Sequence, residues 1–179
     1  MQVNDERYYP PVGFYFNVSL ASASGLTGAA GGSNADNSFQ EVSGLTAEVN
    51  TEEIEEGGEN RFTYTVPGKK KYRNLVLKRG LISGDSEFGE WAIETMESTM
   101  SKAIEPKHIM VSLMDADGDP LCAWFFVSAW PVKAEVSEFN AMENKYVTET
   151  LEFTYLYYER FKGSNMSAAL KMARKLQEK

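Results

Sequence analysis

The sequence predicts a mainly β domain with one amphipathic helix inside it and a short helical extension at its C-terminus. Three observations carry that expectation. Segments of alternating apolar and polar residues recur along the chain, as half-buried strands require. The aromatic load is high, with nine Tyr, ten Phe and three Trp, residue types that fit a pleated surface. Only one internal stretch, and then the C-terminal tail, changes to a helical period. The 179 residues fit one domain with length enough for a core. Hydrophobic residues at 42% and charged residues at 25% are ordinary for a globular chain.

Residues 1–12 are polar and then proline-rich, and Pro10 and Pro11 stiffen an extended arm. "FYFNVSL" places Phe14, Phe16, Val18 and Leu20 on one face of a strand. Residues 21–37, rich in Gly, Ala and Ser with Leu26 the one large apolar residue, predict a flexible loop. "SFQEVSGLTAEVNTEEI" resumes strand character, with Ser43-Gly44 as an interruption where a bulge or a close backbone approach is expected. "EGGEN" is a turn, after which Phe62, Tyr64 and Val66 alternate and "NLVLKRG" forms a further strand. Phe88, Trp91, Ala92, Met96, Met100 and Ala103 then trace the stripe of an amphipathic helix, with Asp85 as expected N-cap and Pro106 as its end.

"HIMVSLMD" and "LCAWFFVSAWPVKAEVSEF" follow as strands around the turn "ADGDP", the second segment expected to divide into two strands at Pro131. "YVTETLEFTYLYYERF" reads as one long strand. In the tail, Met166, Ala169, Leu170, Ala173 and Leu176 share one helical face, with Lys171, Arg174, Lys175 and Lys179 elsewhere and Asn165 as cap. So short a helix is marginal alone in water and needs a surface to dock on. The expected organisation is one domain over 1–163, containing the loop 21–37, and a helical extension over 164–179.

The charges raise the functional question. The formal net charge is -8, yet "PGKKKYRNLVLKRG" holds six of the eighteen Lys and Arg residues. A basic cluster is the footprint of nucleic-acid binding. Here the three lysines sit beside a turn and run into a strand, where neighbouring side chains point to opposite faces. An acidic run precedes them, at Glu48, Glu52, Glu53, Glu55, Glu56 and Glu59. Opposite charges in one chain can meet between copies and fix their register. Glu52, Glu53, Glu55, Glu56, Lys69, Lys70, Lys71 and Arg73 are therefore the candidate subunit-interface residues, against the alternative of a merely solvated surface.

No catalytic, cofactor or metal site is expected. "DADGDP" lacks an EF-hand pattern, since its sixth position from Asp115 is Pro120 and its twelfth is Phe126; it is read as a hairpin turn. Nothing local fixes one carboxylate of "EEIEEGGE" as acid and another as base. Cys122 lies in an apolar run, and the single histidine, His108, has no partner at zinc-ligand spacing. No apolar run approaches the roughly 20 residues of a membrane span. The first residues lack the apolar region of a secretory signal, so synthesis in the bacterial cytoplasm is expected.

Taken in order, "FQEVSGLTAEVNTEEIEEGGEN", "VPGKKKYRNLVLKRGL" and "VSLMDADGDPLCAWFFVSAWPVKAEVSEFNAMENKYVTETLEFTY" resemble the tail-tube protein family of contractile phage tails. They are most similar to the inner-tube proteins of phage-tail-like extracellular contractile injection systems, and the resemblance runs from about Phe14 to Phe161. It implies an antiparallel β-sandwich or barrel-like fold with a flanking helix, expected on the outer side near Trp91. It implies a structural protein without enzymatic activity or cofactor. Six copies would close a ring with a continuous β-barrel around a channel, and rings would stack into a tube that sheath contraction drives through a membrane. Expected partners are the chain itself, a sheath protein, baseplate, spike and cap proteins, and lumenal cargo, with no sequence-specific nucleic acid. The expected location is a phage tail or a released injection particle. A tube initiator joining tube to baseplate is the alternative reading. By the same resemblance, the hairpin around Glu52 to Arg73 contacts neighbouring subunits, and alternate residues of "LTAEVNTEEI" and "YVTETLEF" are candidates for an acidic channel lining. Loop 21–37 and the C-terminal helix depart from the family pattern.

Overall fold

The computed structural model describes residues 13, 15–22, 25–27, 39–55, 57–58, 61–82, 86–98 and 103–162. They form strands β1 (Phe16–Ser22), β2 (Gly25–Thr27), β3 (Phe39–Ser43), β4 (Ala47–Ile54), β5 (Tyr64–Tyr72), β6 (Leu75–Gly80), β7 (Lys107–Met114), β8 (Pro120–Val136), β9 (Thr148–Thr154) and β10 (Tyr157–Lys162), with helix α1 (Glu87–Glu97) between β6 and β7. Every strand pairing is antiparallel.

β8 organises the fold because its 17 residues serve two layers. Its first part pairs with β7 on one edge and β10 on the other, giving the layer β2-β1-β7-β8-β10. Its last part pairs with β9, giving β8-β9-β6-β3. The turn between layers lies at Ser128, whose φ is 52°, and at a register shift between Pro131 and Lys133. The expected division at Pro131 is thus a corner within one strand. The expected single strand from Tyr146 to Phe161 is instead two, β9 and β10, broken at Tyr155 and Leu156. The reason is shared: two strands of one hairpin must turn the same corner together. The Leu156 N–H donates to the Val127 carbonyl at 3.0 Å across that corner.

The two layers enclose the core. Val18, Leu20, Ile109, Val111 and Phe126 from one layer meet Leu75, Leu77, Leu151 and Phe153 from the other, all essentially inaccessible. Each such side chain contributes about 1.5–3 kcal/mol through burial. Helix α1 adds Phe88, Trp91 and Ala92 to the same cluster. The Trp91 ring stacks on Phe153 at 5.4 Å, and its Nε1–H donates to the Glu105 carbonyl at 3.2 Å.

The helix begins one residue later than expected, with Ser86 as N-cap, its Oγ accepting from the Gly89 N–H at 3.2 Å. It also ends earlier, at Glu97, well before Pro106. Thr95 and Ser98 hydroxyls donate to the carbonyls of Trp91 and Thr95, the side-chain competition that weakens a helix end. Of the expected apolar stripe, Met96 is 43% exposed, Ala103 is exposed, and Met100 lies outside the described residues.

Arg79 is buried beneath α1. Its Nε donates to the Glu149 carboxylate at 2.8 Å, and its guanidinium lies 5.1 Å from the centre of the Phe39 ring. Gly89 lets the helix approach it, since a Cβ there would stand 3.2 Å from Nη2.

The "ADGDP" segment is the expected hairpin turn, between β7 and β8. The Asp115 carboxylate accepts from the N–H groups of Asp117 and Asp119 at 3.0 and 2.8 Å, and Gly118 takes a φ of +87°. The first part of the expected loop 21–37 is strand instead, because β1 runs to Ser22 and Ser22 pairs with Gly25 at the head of β2. Residues 28–38, Asp85, the arm 1–12 and the extension 164–179 lie outside the described residues.

His108 supports the β8 corner. Its Nδ1 accepts from the Ser128 N–H at 3.0 Å, its ring lies 5.4 Å from Phe125, and burial holds its pKa below the ordinary value. A lowered folded-state pKa means that this stability is complete above the unfolded value, about 6.5, and is lost as pH falls through the folded value. His108→Asn keeps a short acceptor and removes the titration. Thermal melts from pH 7.5 to 4.5 are expected to give a shallower loss of Tm in the variant than in the parent. Parallel profiles would show that His108 contributes nothing to the acid side.

Candidate self-assembly surface

β3 runs into β4, and β5 into β6, so the four make one long hairpin whose base is in the second layer and whose distal half stands apart. Every residue of β4 is exposed. Two contacts clasp the base of this arm: the Tyr155 hydroxyl donates to the Arg73 carbonyl at 2.8 Å, and the Asn74 side-chain amide donates to Glu152 at 2.8 Å. The rings of Tyr72, Tyr155 and Tyr158 pack on one another there. Burial, with Tyr158 and Tyr72 adding, pushes the Tyr155 phenol up to about 12, so it stays a neutral donor.

Strand register sorts the predicted interface residues. Glu48 faces Lys71, Val49 faces Lys70, Glu52 faces Val66 and Glu53 faces Thr65. The pairing slips by one residue opposite Asn50, at Gly68 and Lys69. A Cβ on Gly68 would stand 3.0 Å from the Asn50 carbonyl, which accounts for glycine at the bulge. Glu48, Glu52 and Lys71 therefore share one face, and Glu53 and Lys70 the other. Glu55 lies just past β4 and is exposed; Glu56 is outside the described residues. Arg73 is already engaged within the chain, 2.8 Å from Glu48. The Arg73 charge is thus met by Glu48 inside one arm. Glu52 and Glu53, neighbours in the acidic run, lie on opposite faces of β4. Among the described residues no group of three potential ligands converges on a metal position.

Sequence reasoning missed the apolar half of this surface. Val49, Ile54, Phe62 and Tyr64 are each about half exposed on the arm, and Phe62 and Tyr64 meet edge to face at 5.1 Å. The loop between β8 and β9 presents Phe139, Met142 and Tyr146 at 77%, 93% and 94% exposure. Contiguous exposed apolar patches mark sites of contact with proteins, membranes or ligands. The available signal was three large apolar residues in the polar stretch "SEFNAMENKY".

Among the described residues, two strand edges of the second layer also stand open. β3 is the last strand of its layer, and the final part of β8 carries β9 on one side only. Unpaired edges recruit other strands. The outward face between them is polar and carries both signs: Glu41 opposite Lys78, Lys133 opposite Glu152, and Glu135 opposite Thr150. Lys133 and Glu135 share a hydrogen bond that raises the ammonium pKa and lowers the carboxylate's.

The sequence profile of the T4-like virus tail tube protein gp19 family matches residues 12–160. No curated protein matches the chain. Among solved structures, a chain of the sheath-tube complex of PVC, an extracellular contractile injection system, in its extended state is 22% identical. It aligns over 90% of this chain and 99% of its own, with a TM-score of 0.70. A chain of the anti-feeding prophage tube-terminating cap is 22% identical over 89% of this chain and 96% of its own, with a TM-score of 0.71. A chain of the anti-feeding prophage baseplate is 21% identical over 87% and 98%, with a TM-score of 0.70. These likenesses show that the two-layer fold is shared.

Proposed function

Because the chain belongs to the T4-like virus tail tube protein gp19 family, a structural and non-enzymatic family, we propose that it is the inner-tube subunit of a contractile injection machine. Six copies close a ring, rings stack into a hollow tube, and sheath contraction drives that tube through a target membrane. The observation that supports this most directly is the juxtaposition of two open edges in one layer with a clasped, exposed arm beside them. A strand edge at each side of a layer is what a sheet needs to continue from copy to copy around a closed barrel. A rigid arm with apolar and charged residues on both faces can then reach a neighbour. In this arrangement the polar face of β3, β6, β9 and the end of β8 lines the channel. Its mixed charges give less support to an acidic lining than the sequence did.

Electron microscopy of the purified protein tests the reading. Long tubes, or rings that stack, are expected; single rings that refuse to stack would favour a tube initiator, and monomers at every concentration would overturn both. The arm makes a second prediction. Lys69, Lys70 and Lys71 are exposed, so reversing all three to Glu is expected to change monomer stability by under about 1 kcal/mol. The same change places like charges against any acidic neighbour, and tubes are expected to shorten or vanish at physiological salt. Unchanged tubes would remove the lysines from the interface.

A further inference from the structure

The two edges of the second layer run in directions that decide how they can meet. β3 is antiparallel to β6, β6 to β9, and β9 to β8, so β3 and the end of β8 are antiparallel to each other. Copies related by rotation therefore bring β3 of one beside β8 of the next as an antiparallel pair. The backbone phase agrees. The Ser137 N–H donates to the Thr148 carbonyl, so the backbone groups of Lys133, Glu135 and Ser137 turn to β9, and those of Ala134, Val136 and Glu138 turn to the open side. The Leu81 N–H donates to the Val147 carbonyl, and the same alternation carried across β6 leaves the Val42 groups facing outward on β3. The last four residues of β8 are exposed, and Val136 is 47% exposed although it lies on the core side of the layer.

Only an even slip between copies keeps both the backbone match and the polar face. With no slip, Glu41 stands opposite Glu135 of the next copy, because Glu41, Lys78, Thr150 and Glu135 share one row. Like charges directly opposite destabilise a pair, and a closed barrel needs a stagger. Handedness fixes its direction. Lys133 and Glu135 turn their side chains to the polar face and their backbone groups to β9. For L-residues this places β9, β6 and β3 successively to the right of an upward β8, seen from that face. Strand twist makes barrel strands coil as a right-handed helix, so from inside they lean left, and a row followed to the right climbs. The row from Glu41 thus meets the next β8 beyond Glu135, toward its C-terminal end. Four strands per copy span about 19 Å, so slips of two, four and six residues tilt the strands by about 19°, 35° and 47°. Barrel strands tilt by roughly 35–45°, which selects four.

We propose that β3 pairs with β8 of a second copy at a four-residue slip toward the β8 C-terminus. The Val42 N–H and C=O then exchange hydrogen bonds with Glu138 of the next copy, and Ser43 lies opposite its Ser137. This rests on the ring closure proposed as the chain's function and adds its register. It also extends β8 on assembly into the start of the β8–β9 loop.

Disulfide mapping in a Cys122→Ser background tests it. Ser43 and the next copy's Ser137 form a pair without mutual hydrogen bonds, with Cα atoms about 4.5 Å apart, within a disulfide's reach. Two residues out of register the distance is about 8 Å, beyond that reach. Ser43→Cys with Ser137→Cys is expected to oxidise to a covalent ladder roughly 10-fold faster or more than Ser43→Cys with Glu135→Cys or with Lys133→Cys. A faster ladder from either of the latter overturns the register and leaves the ring reading intact. Hydrogen exchange on the unaltered chain is the second measurement. The Glu138 amide is expected to exchange roughly 100-fold slower in rings than in free subunits. Rings in the microscope with no slowing at Glu138 overturn the proposal alone, whereas an absence of rings overturns the inner-tube reading with it.

Discussion

Replacing Glu149 by glutamine is expected to lower stability by about 3–5 kcal/mol, although it removes one charge and almost no volume. Arg79 has a side chain only 2% exposed, and the Glu149 carboxylate at 2.8 Å is the anion facing its Nε. Taking a guanidinium out of water is costly, and the cost is tolerable only while a carboxylate and hydrogen bonds surround it. Glutamine offers a carbonyl dipole in place of a full charge. Urea unfolding of Glu149→Gln measures the loss, and a change under about 1 kcal/mol would show that the pair is not a structural element. The double variant Arg79→Met, Glu149→Leu separates charge from shape. It removes both ions and keeps apolar volume, so it is expected to be more stable than Glu149→Gln alone.

Arg79 also marks the limit of what the sequence discloses. It belongs to the basic run from Pro67 to Gly80. Leu75, Leu77 and Arg79 alternate on β6, and all three point inward. Periodicity assigns a residue to a face; it does not say which face is buried, and the default for arginine is the surface. The partner that permits burial is 70 residues away at Glu149. The same limit hid the arm. "RFTYTVPG" alternates as cleanly as "NLVLKRG", yet Phe62 and Tyr64 are about half exposed while Leu75 and Leu77 are fully buried. One half of the hairpin packs against the other layer, and among the described residues the other half has nothing beneath it. Alternation records a two-faced strand, whether its apolar face meets its own core or another molecule.

Other features were legible because local chemistry decides them. Asp115 and Gly118 close the β7–β8 turn with groups four residues apart or fewer. The amphipathic helix is where its stripe placed it, although its end is set by Thr95 and Ser98 rather than by Pro106. The β8 corner was half legible. Pro131 marked it on one strand, but the break between β9 and β10 follows from pairing with that strand, and "TYLYYERF" carries no sign of it.

Gly44 is the position where a single methyl group is expected to do the most harm to the arm. The sequence marked it as a bulge or a close approach, and the structure makes it a close approach. Gly44 joins β3 to β4 at a φ of +85°, and a Cβ built on it would stand 1.9 Å from the Asn74 carbonyl oxygen and 2.9 Å from its carbon. Both obstacles are backbone, so no rotamer relieves them. A non-glycine residue at positive φ costs about 1–3 kcal/mol before any clash is counted. The clash adds to this, because Asn74 is tied to Glu152 and the neighbouring Arg73 carbonyl to Tyr155. Gly44→Ala must therefore move the crossing of the two hairpin strands, and those two clasps with it. Where the strain stays in the base, a loss of about 3 kcal/mol or more is expected, with Tm lower by roughly 6–12 °C. The route matters more than the size. If the strain is relieved by swinging the arm away from its base, the core melts nearly as before and assembly fails. If the base holds, the core itself loses stability and assembly of what remains folded is preserved. Melting and tube formation measured on the same variant distinguish the two. A variant that melts and assembles like the parent would show that the crossing at Asn74 is looser than its 1.9 Å approach implies.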